Sequence, residues 1–463
     1  MTGRHLAGTN PAPDEHLLSS PPTESRAAES RGGNRTRPAD LLVRNSALLI
    51  ATTCATAVLG FTFWVVAARF FSAADVGVAS TLWSGLSLLA YVSLAGLNST
   101  LIRHLGTGEL MRTQISQSLL GVGVVSLILG AAYVTLAPVL APKLDVLREP
   151  LAAGIFVAAA VLAAVNLLTD SIFVGLRSAG YNLAIDGLLQ SGVKLLSLLL
   201  LIGTGAVGIF GASTLALLIA TVASLAALVV RFGYRWRLGR HLAFNRQQAF
   251  FSFGSYVSSC LHTAPLLLVP LIVLHFHGAE QSAYYFTAFQ LALMLYTFAN
   301  AVGESNFSES RAHPKRAAEL RRRAARLNAL IVVPGTLGLL AVGPFILQAF
   351  GSTYATEGRS LLMVLALAAI PQSFYAWAGF LNRIAGHVRA MIAADVTYFV
   401  VVVGLAYYWS NESLAHVGWA WFLGNAAAGG VAFAGWYRHQ RRSTAHPETA
   451  HLEPRSGTEV DAR

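Results

Sequence analysis

Residues 61–105 read FTFWVVAARFFSAADVGVASTLWSGLSLLAYVSLAGLNSTLIRHL. An apolar run ends at Arg69, a short polar turn follows at 72–75, and a second apolar run begins at Val76. The pattern returns 206 residues later, where Arg69-Phe70-Phe71-Ser72-Ala73 faces His275-Phe276-His277-Gly278-Ala279. The same offset sets Pro138 on Pro344, Arg177 on Arg383, Gly180 on Gly386 and Cys54 on Cys260. Each match is weak alone. Spread along one diagonal, they point to two copies of one membrane unit, an arrangement common in transporters.

Composition agrees. The chain has 463 residues, 55% hydrophobic and 12% charged, with mean hydropathy +0.56. Soluble domains carry about 25% charged residues. The net charge of +11 is not a nucleic-acid signature, because the basic residues sit in short links between apolar runs. Both cysteines fall inside apolar runs, so neither a disulfide framework nor a paired-cysteine metal motif is present.

The spacing predicts an all-α integral membrane protein with about twelve spans, each about 20 residues or longer. They fall near 44–70, 75–102, 115–138, 151–176, 182–204, 207–231, 248–275, 281–306, 326–349, 358–382, 389–409 and 413–437. Residues 41–240 would form an N-lobe of six helices and 241–437 a C-lobe of six. Residues 1–40, polar and rich in Pro, Ser, Gly, Arg and Glu, are expected to be a disordered tail without a signal-peptide core. Residues 438–463 are expected to be a flexible tail. Arg231, Arg235, Arg237, Arg240 and Arg246 crowd one link, and Arg311, Lys315, Arg316, Arg321, Arg322 and Arg323 another. Arg103, Arg112, Arg177, Arg383 and Arg389 add to the same side, which puts both termini in the cytoplasm.

No phosphate-binding glycine loop, HExxH or GxSxG occurs, so neither a built-in ATPase nor a soluble catalytic module is expected. No cofactor or metal is expected either. Chemistry is left to polar residues within the spans, where charges are costly and face an interior or a wet cavity. Asp186, Gln190, Lys194 and Ser197 are spaced to share one helix face. Lys194 lies near mid-depth, as a cationic contact for an anionic substrate, as part of an ion-coupled switch, or as the partner of Asp186. Asn166 and Asp170 lie on the preceding span with Arg177 at its end. Asp170 would accept a proton, pair with Lys194, or meet water at the interface.

Ser252, Ser255, Ser259 and His262 line one face of the span that also holds Pro265 and Pro270. Prolines bend helices and can serve as moving parts. His262 could titrate near neutrality or simply pack. Asn300, Glu304 and Asp395 sit near cytoplasmic ends, Glu304 and Asp395 being further coupling-ion candidates. Arg69 marks an outer helix end, and Arg177 and Arg383 inner ends. Tyr284-Tyr285-Phe286 and Tyr407-Tyr408-Trp409 read as interfacial belts.

Several stretches together resemble the MOP exporter superfamily and, within it, the polysaccharide-biosynthesis (oligosaccharide-lipid) flippases. They are Arg44-Asn45-Ser46, Ala67-Ala68-Arg69 with Phe70-Phe71-Ser72, Asp75-Val76-Gly77, and Gly96-Leu97-Asn98 before Leu101-Ile102-Arg103. The resemblance covers about residues 44–105 and adds Asn98 to the cavity candidates. It implies a V-shaped pair of lobes around a cavity that opens to one side at a time. It also implies transport of lipid-diphosphate-linked sugars to the outer leaflet, driven by an ion gradient or the membrane potential. A diphosphate head group would need a buried cation such as Lys194. The lipid II flippases usually have fourteen spans, and the drug/cation antiporters favour an acidic cavity.

The expected function is therefore an inner-membrane flippase of undecaprenyl-diphosphate-linked oligosaccharide for surface polysaccharide, not an enzyme. Its partners would be the bilayer, the lipid-linked sugar, and a polysaccharide polymerase or glycosyltransferase, with no nucleic acid. The alternatives are a multidrug/cation antiporter of the same superfamily, and a membrane scaffold or glycosyltransferase of a polysaccharide assembly complex.

Overall fold

A Ser-x-x-Asp turn starts the decisive helix. Ser72 is its extended N-cap, and the Ser72 hydroxyl accepts the Asp75 backbone N–H at 3.1 Å while donating to the Asp75 carboxylate at 2.5 Å. The other Asp75 oxygen accepts the backbone N–H of Ala206 at 2.9 Å. The Asp75 carboxylate thus satisfies an orphan donor at the start of α8 (Gly205–Phe232) and holds the Ser72 hydroxyl that caps α2 (Ala73–Ser93), and both helix dipoles favour its negative charge. Asp75→Ala should cost about 1–2 kcal/mol, read as a lower thermal midpoint of the purified protein. An unchanged midpoint would count against this double cap.

The computed structural model describes residues 38–140, 142–239, 246–312, 317–385 and 387–445. Most of both predicted tails, 1–37 and 446–463, lies outside the described residues. Residues 45–463 make one compact unit, and 1–44 group separately. The described residues are helical throughout apart from short links. The order is α1 (Pro38–Phe70), α2, α3 (Leu97–His104), α4 (Gly108–Leu140), a 3-10 turn at Pro142–Arg148, and α5 (Pro150–Gly175). There follow α6 (Gly180–Asn182), a π-helical stretch at Leu183–Gln190, α7 (Ser191–Leu200) and α8. The last six are α9 (Arg246–His277), α10 (Ala279–Ala312), α11 (Ala317–Phe350), α12 (Ser352–Ile384), α13 (Val388–Tyr408) and α14 (Leu414–Ala445).

Among the described residues ten helices are long and apolar enough to cross a membrane. The two other predicted spans coincide with α1, whose apolar part is Cys54–Phe70, and with the 34-residue α10. An α-helix satisfies its own backbone polar groups, which is what a chain needs in lipid.

Three local features depart from the sequence reading. The predicted span 75–102 is two helices, because Ala95 (φ 47°) and Gly96 (φ 80°) take left-handed backbone. The carbonyl exposed at that break is not wasted: the Tyr256 hydroxyl of α9 donates to Val92. The π stretch widens the helix at Leu183–Gln190, with the Ser191 hydroxyl donating to the Asp186 carbonyl at 3.0 Å. Finally, Tyr284, Tyr285 and Phe286 are core rather than belt residues. Tyr285 is fully buried, and its hydroxyl accepts the Trp421 indole N–H at 3.0 Å. Tyr407 and Tyr408 are exposed, as a belt requires.

Two apolar clusters organise the packing. Leu86, Ile115, Phe156, Phe173 and Leu228 centre one around α2, α4, α5 and α8. Tyr285, Leu365, Val402 and Trp421 centre the other around α10, α12, α13 and α14, which also takes in Phe63 and Trp64 of α1 and Val76 of α2. α2 packs against α9 and α10. At their starts the backbones nearly touch: a Cβ on Gly77 would lie 1.7 Å from the Ala279 carbonyl oxygen. Beside it Thr81 and Ser282 share a hydrogen bond at 2.9 Å. Small residues permit this approach in lipid.

Candidate functional site

Lys194 sits on α7 where aromatic side chains from two other helices converge. Its Nζ lies 4.1 Å from the Phe63 ring centroid, 5.5 Å from Trp64 and 4.2 Å from Trp83. Trp64 in turn packs edge-on against Phe286 of α10 at 4.5 Å. Among the described residues no carboxylate reaches Lys194 within ion-pair distance. Ring faces attract a cation by about 2 kcal/mol when it is desolvated, but they supply no hydrogen-bond acceptor for its three N–H donors. The aromatic cage leaves the donor capacity of the Lys194 amine unspent.

Asp186 is not Lys194's partner. Its Oδ1 accepts the Asn166 amide at 2.9 Å, and its carboxyl lies within hydrogen-bonding reach of Asp170. Asn182 donates to the Asp170 backbone carbonyl at 3.3 Å. The π stretch explains why the expected shared face splits. An extra residue in the turn shifts the helical phase, so Asp186 faces α5 while Lys194 faces α1 and α2. Four oxygens in this group are buried without a hydrogen-bond partner: Asp170 Oδ1, Asp186 Oδ2, Asn166 Oδ1 and Asn182 Oδ1. A carboxylate has no donor, so the contact between the two acids calls for a proton or a cation between them.

Asp395 and His262, on α13 and α9, belong together. Ser258 and Tyr375 both donate to the Asp395 carboxylate. His262 Nδ1 lies 3.3 Å from the Tyr375 hydroxyl and 3.6 Å from Asp395 Oδ1. The imidazole stacks on Tyr398 at 5.4 Å. Ser258, beside the predicted serine stripe, makes the bond that the stripe's Ser259 does not. Ser252, Ser255, Asn300 and Glu304 carry side chains outside the described residues. Pro265 and Pro270 lie inside an unbroken α9.

Arg69 bridges the chain's two halves. Its guanidinium donates to the carbonyls of Ala349 at 2.7 Å and Gln348 at 2.8 Å, in the last turn of α11. A cation there meets both the orphan carbonyls and the negative end of the helix dipole. Arg177 takes a left-handed backbone (φ 55°) in the link after α5. Arg383 is in the last turn of α12, with its guanidinium 5.2 Å from the Phe380 ring. Asn98 and Gln190 are half-buried without a hydrogen-bond partner among the described residues. Phe63, Trp64, Trp83, Ser258 and Tyr375 were not singled out by the sequence. The one available hint was tryptophan well inside apolar runs, away from the interfaces where it usually sits.

The family model described as polysaccharide biosynthesis protein matches residues 66–357. No curated protein matches the chain. Solved structures do. The inward-facing conformation of a multidrug resistance MATE family transporter of the MOP superfamily is 16% identical, with 85% of this chain and 96% of that chain aligned at TM-score 0.63. A MOP superfamily transporter from Pyrococcus furiosus Vc1, described as having a binding pocket of reverse polarity, is 17% identical. It aligns over 89% of this chain and 97% of that chain at TM-score 0.60. The outward-facing conformation of a multidrug resistance MATE family transporter aligns at TM-score 0.56, with 17% identity over 90% and 98%. At these identities the likeness carries the fold.

Proposed function

Because the chain belongs to the polysaccharide biosynthesis protein family and has the multi-pass fold of MOP-superfamily transporters, we propose that it is a flippase. Its substrate would be an undecaprenyl-diphosphate-linked oligosaccharide, moved across the cytoplasmic membrane for surface polysaccharide. The observation that carries this reading is Lys194, an amine with aromatic walls and no carboxylate partner among the described residues. A diphosphate supplies the acceptors it lacks. In this reading residues 41–240 and 241–437 act as two lobes that alternate in access, with both termini cytoplasmic. The Asp170–Asp186 pair takes the coupling proton or cation. Phe63, Trp64 and Trp83 exclude water and hold the ammonium in place.

The test is gene deletion followed by complementation. Loss of the protein should accumulate lipid-linked precursor and abolish surface polymer. Wild type should restore polymer. Lys194→Ala, at equal abundance in the membrane, should fall short by roughly tenfold or more, the worth of one lost charge-assisted hydrogen bond of about 1.5–3 kcal/mol. Full rescue by Lys194→Ala would discard the lysine as head-group contact. Unchanged polymer after deletion would discard the flippase.

A second reading, cation-coupled drug antiport, draws on the fold likeness to multidrug transporters and on the acid pair. Drug sensitivity of the deletion strain with intact polysaccharide would favour it.

A further inference from the structure

A pocket of about 310 Å³ opens beside the link between α12 and α13. Its polar lining includes Ser258, Ser259, His262 and Thr263 of α9, Tyr375 and Arg383 of α12, Asp395 of α13 and Tyr91 of α2. Tyr91 and Arg383 lie in the last turns of α2 and α12, while Ser259, His262 and Thr263 lie near the middle of α9. The pocket is separate from the Lys194 cage, which is built from α1, α2 and α7.

Its hydrogen-bond capacity is lopsided. Both Asp395 oxygens are taken, by Ser258 and Tyr375. Tyr375 spends its one hydrogen on Asp395, so its oxygen can only accept from His262. That assigns the hydrogen to Nδ1. Arg383 has no hydrogen-bond or ion-pair partner among the described residues. The Phe380 ring lies 5.2 Å from its guanidinium. Arg383 thus brings the pocket cationic donors with no acceptor, beside an Asp395 carboxylate that already holds two hydroxyls.

We propose that this pocket binds a phosphate-type oxyanion, with Arg383 as the permanent charge and His262 as a second charge added at acid pH. The diphosphate head of a lipid-linked sugar is the source that the flippase reading supplies, and the identification with that head group rests on it. The groups facing His262 are Asp395 and Tyr398 from α13, Tyr375 and Arg383 from α12, and Tyr91 from α2. Tyr256 and Cys260 flank it on α9. His387, in the link itself, packs at a tilt against His439 with ring centroids 3.8 Å apart. Burial, reinforced by that neighbour, holds its pKa below the ordinary histidine value.

The experiment is calorimetric titration of the purified full-length protein. Sulfate is the pH probe, because it keeps its charge over the range used. Wild type should bind sulfate more tightly at pH about 5.5 than at about 8, on either side of the histidine value. Arg383→Gln should weaken binding by roughly tenfold or more at both pH values, with partial recovery in Arg383→Lys. His262→Gln should keep the weaker affinity and lose its rise. Sulfate binding indifferent to Arg383→Gln overturns the site, and pH-independent binding in wild type overturns His262 as its second charge.

Farnesyl diphosphate and inorganic diphosphate separate the sources. Tighter binding of the prenyl compound assigns the lipid head group, and the reverse assigns free phosphate and overturns that assignment. Translocation of a prenyl-diphosphate sugar in liposomes separates the two readings. Normal translocation by Arg383→Gln with no oxyanion binding by wild type removes the pocket and leaves the flippase. Arg383-dependent binding without translocation removes the flippase and leaves the pocket.

Discussion

Gly77→Val is expected to leave a protein that no longer holds α2 against α10, with a sharply lowered melting temperature and no transport. A Cβ at Gly77 would sit 1.7 Å from the Ala279 carbonyl oxygen, 2.7 Å from its carbon and 3.1 Å from the Ala283 backbone nitrogen. These are backbone atoms in helices, so no side chain can rotate out of the way. Overpacking a well-filled interior costs about 1–3 kcal/mol, and rigid neighbours put this case at the top of that range. The loss would spread. Separating the helices breaks the Thr81–Ser282 bond. The Arg69 contacts to Gln348 and Ala349 tie the same two halves. Gly60 is the control, since nothing lies within 4 Å of a Cβ there, so Gly60→Val should melt like wild type. A Gly77→Val protein that melts and transports normally would refute the contact as drawn.

That contact was half visible in the sequence. The repeat pairs Ala73 with Ala279 and Gly77 with Ala283, and the structure brings these repeat-mate turns against each other. Hydrophobic periodicity and the Ser72-to-Asp75 turn set out the helices, because in lipid a long apolar run has almost no other fold open to it. What stayed hidden depends on side chains meeting across helices or on local departures from 3.6 residues per turn. Gly96 hinted at a break, yet Ala95 at positive φ did not. The π stretch follows no composition rule, and it alone turns Asp186 away from Lys194. Tyr285 and Tyr408 are chemically alike in sequence, but Trp421 buries the first and nothing covers the second. His262 read alone looked like a packing residue. It became part of a cluster only when α13 supplied Asp395 and α12 supplied Tyr375.

The largest functional effect is expected at the acid pair. Asp170→Asn with Asp186→Asn should yield a folded protein whose transport no longer responds to an imposed ion gradient. The reason lies in what each group can donate. Two carboxyls within hydrogen-bonding reach cannot face each other as bare anions, because neither has a hydrogen to give and like charges repel. Asn166 satisfies one oxygen of Asp186, while four oxygens around the pair stay buried and unpartnered. A proton or a monovalent cation between the acids would supply what they lack. Side-chain amides keep the shape and bring their own donors, so they can bridge without either ligand. If the pair links ion binding to the lobe equilibrium, its loss removes a coupling free energy of about 1–3 kcal/mol, roughly 5- to 150-fold in gradient-driven rate. Downhill exchange, which needs no coupling, should persist. Proteoliposome transport with and without a gradient reads both quantities, and a thermal melt checks the fold. Wild-type gradient dependence in the double variant would move the coupling site elsewhere, with Asp395 next in line.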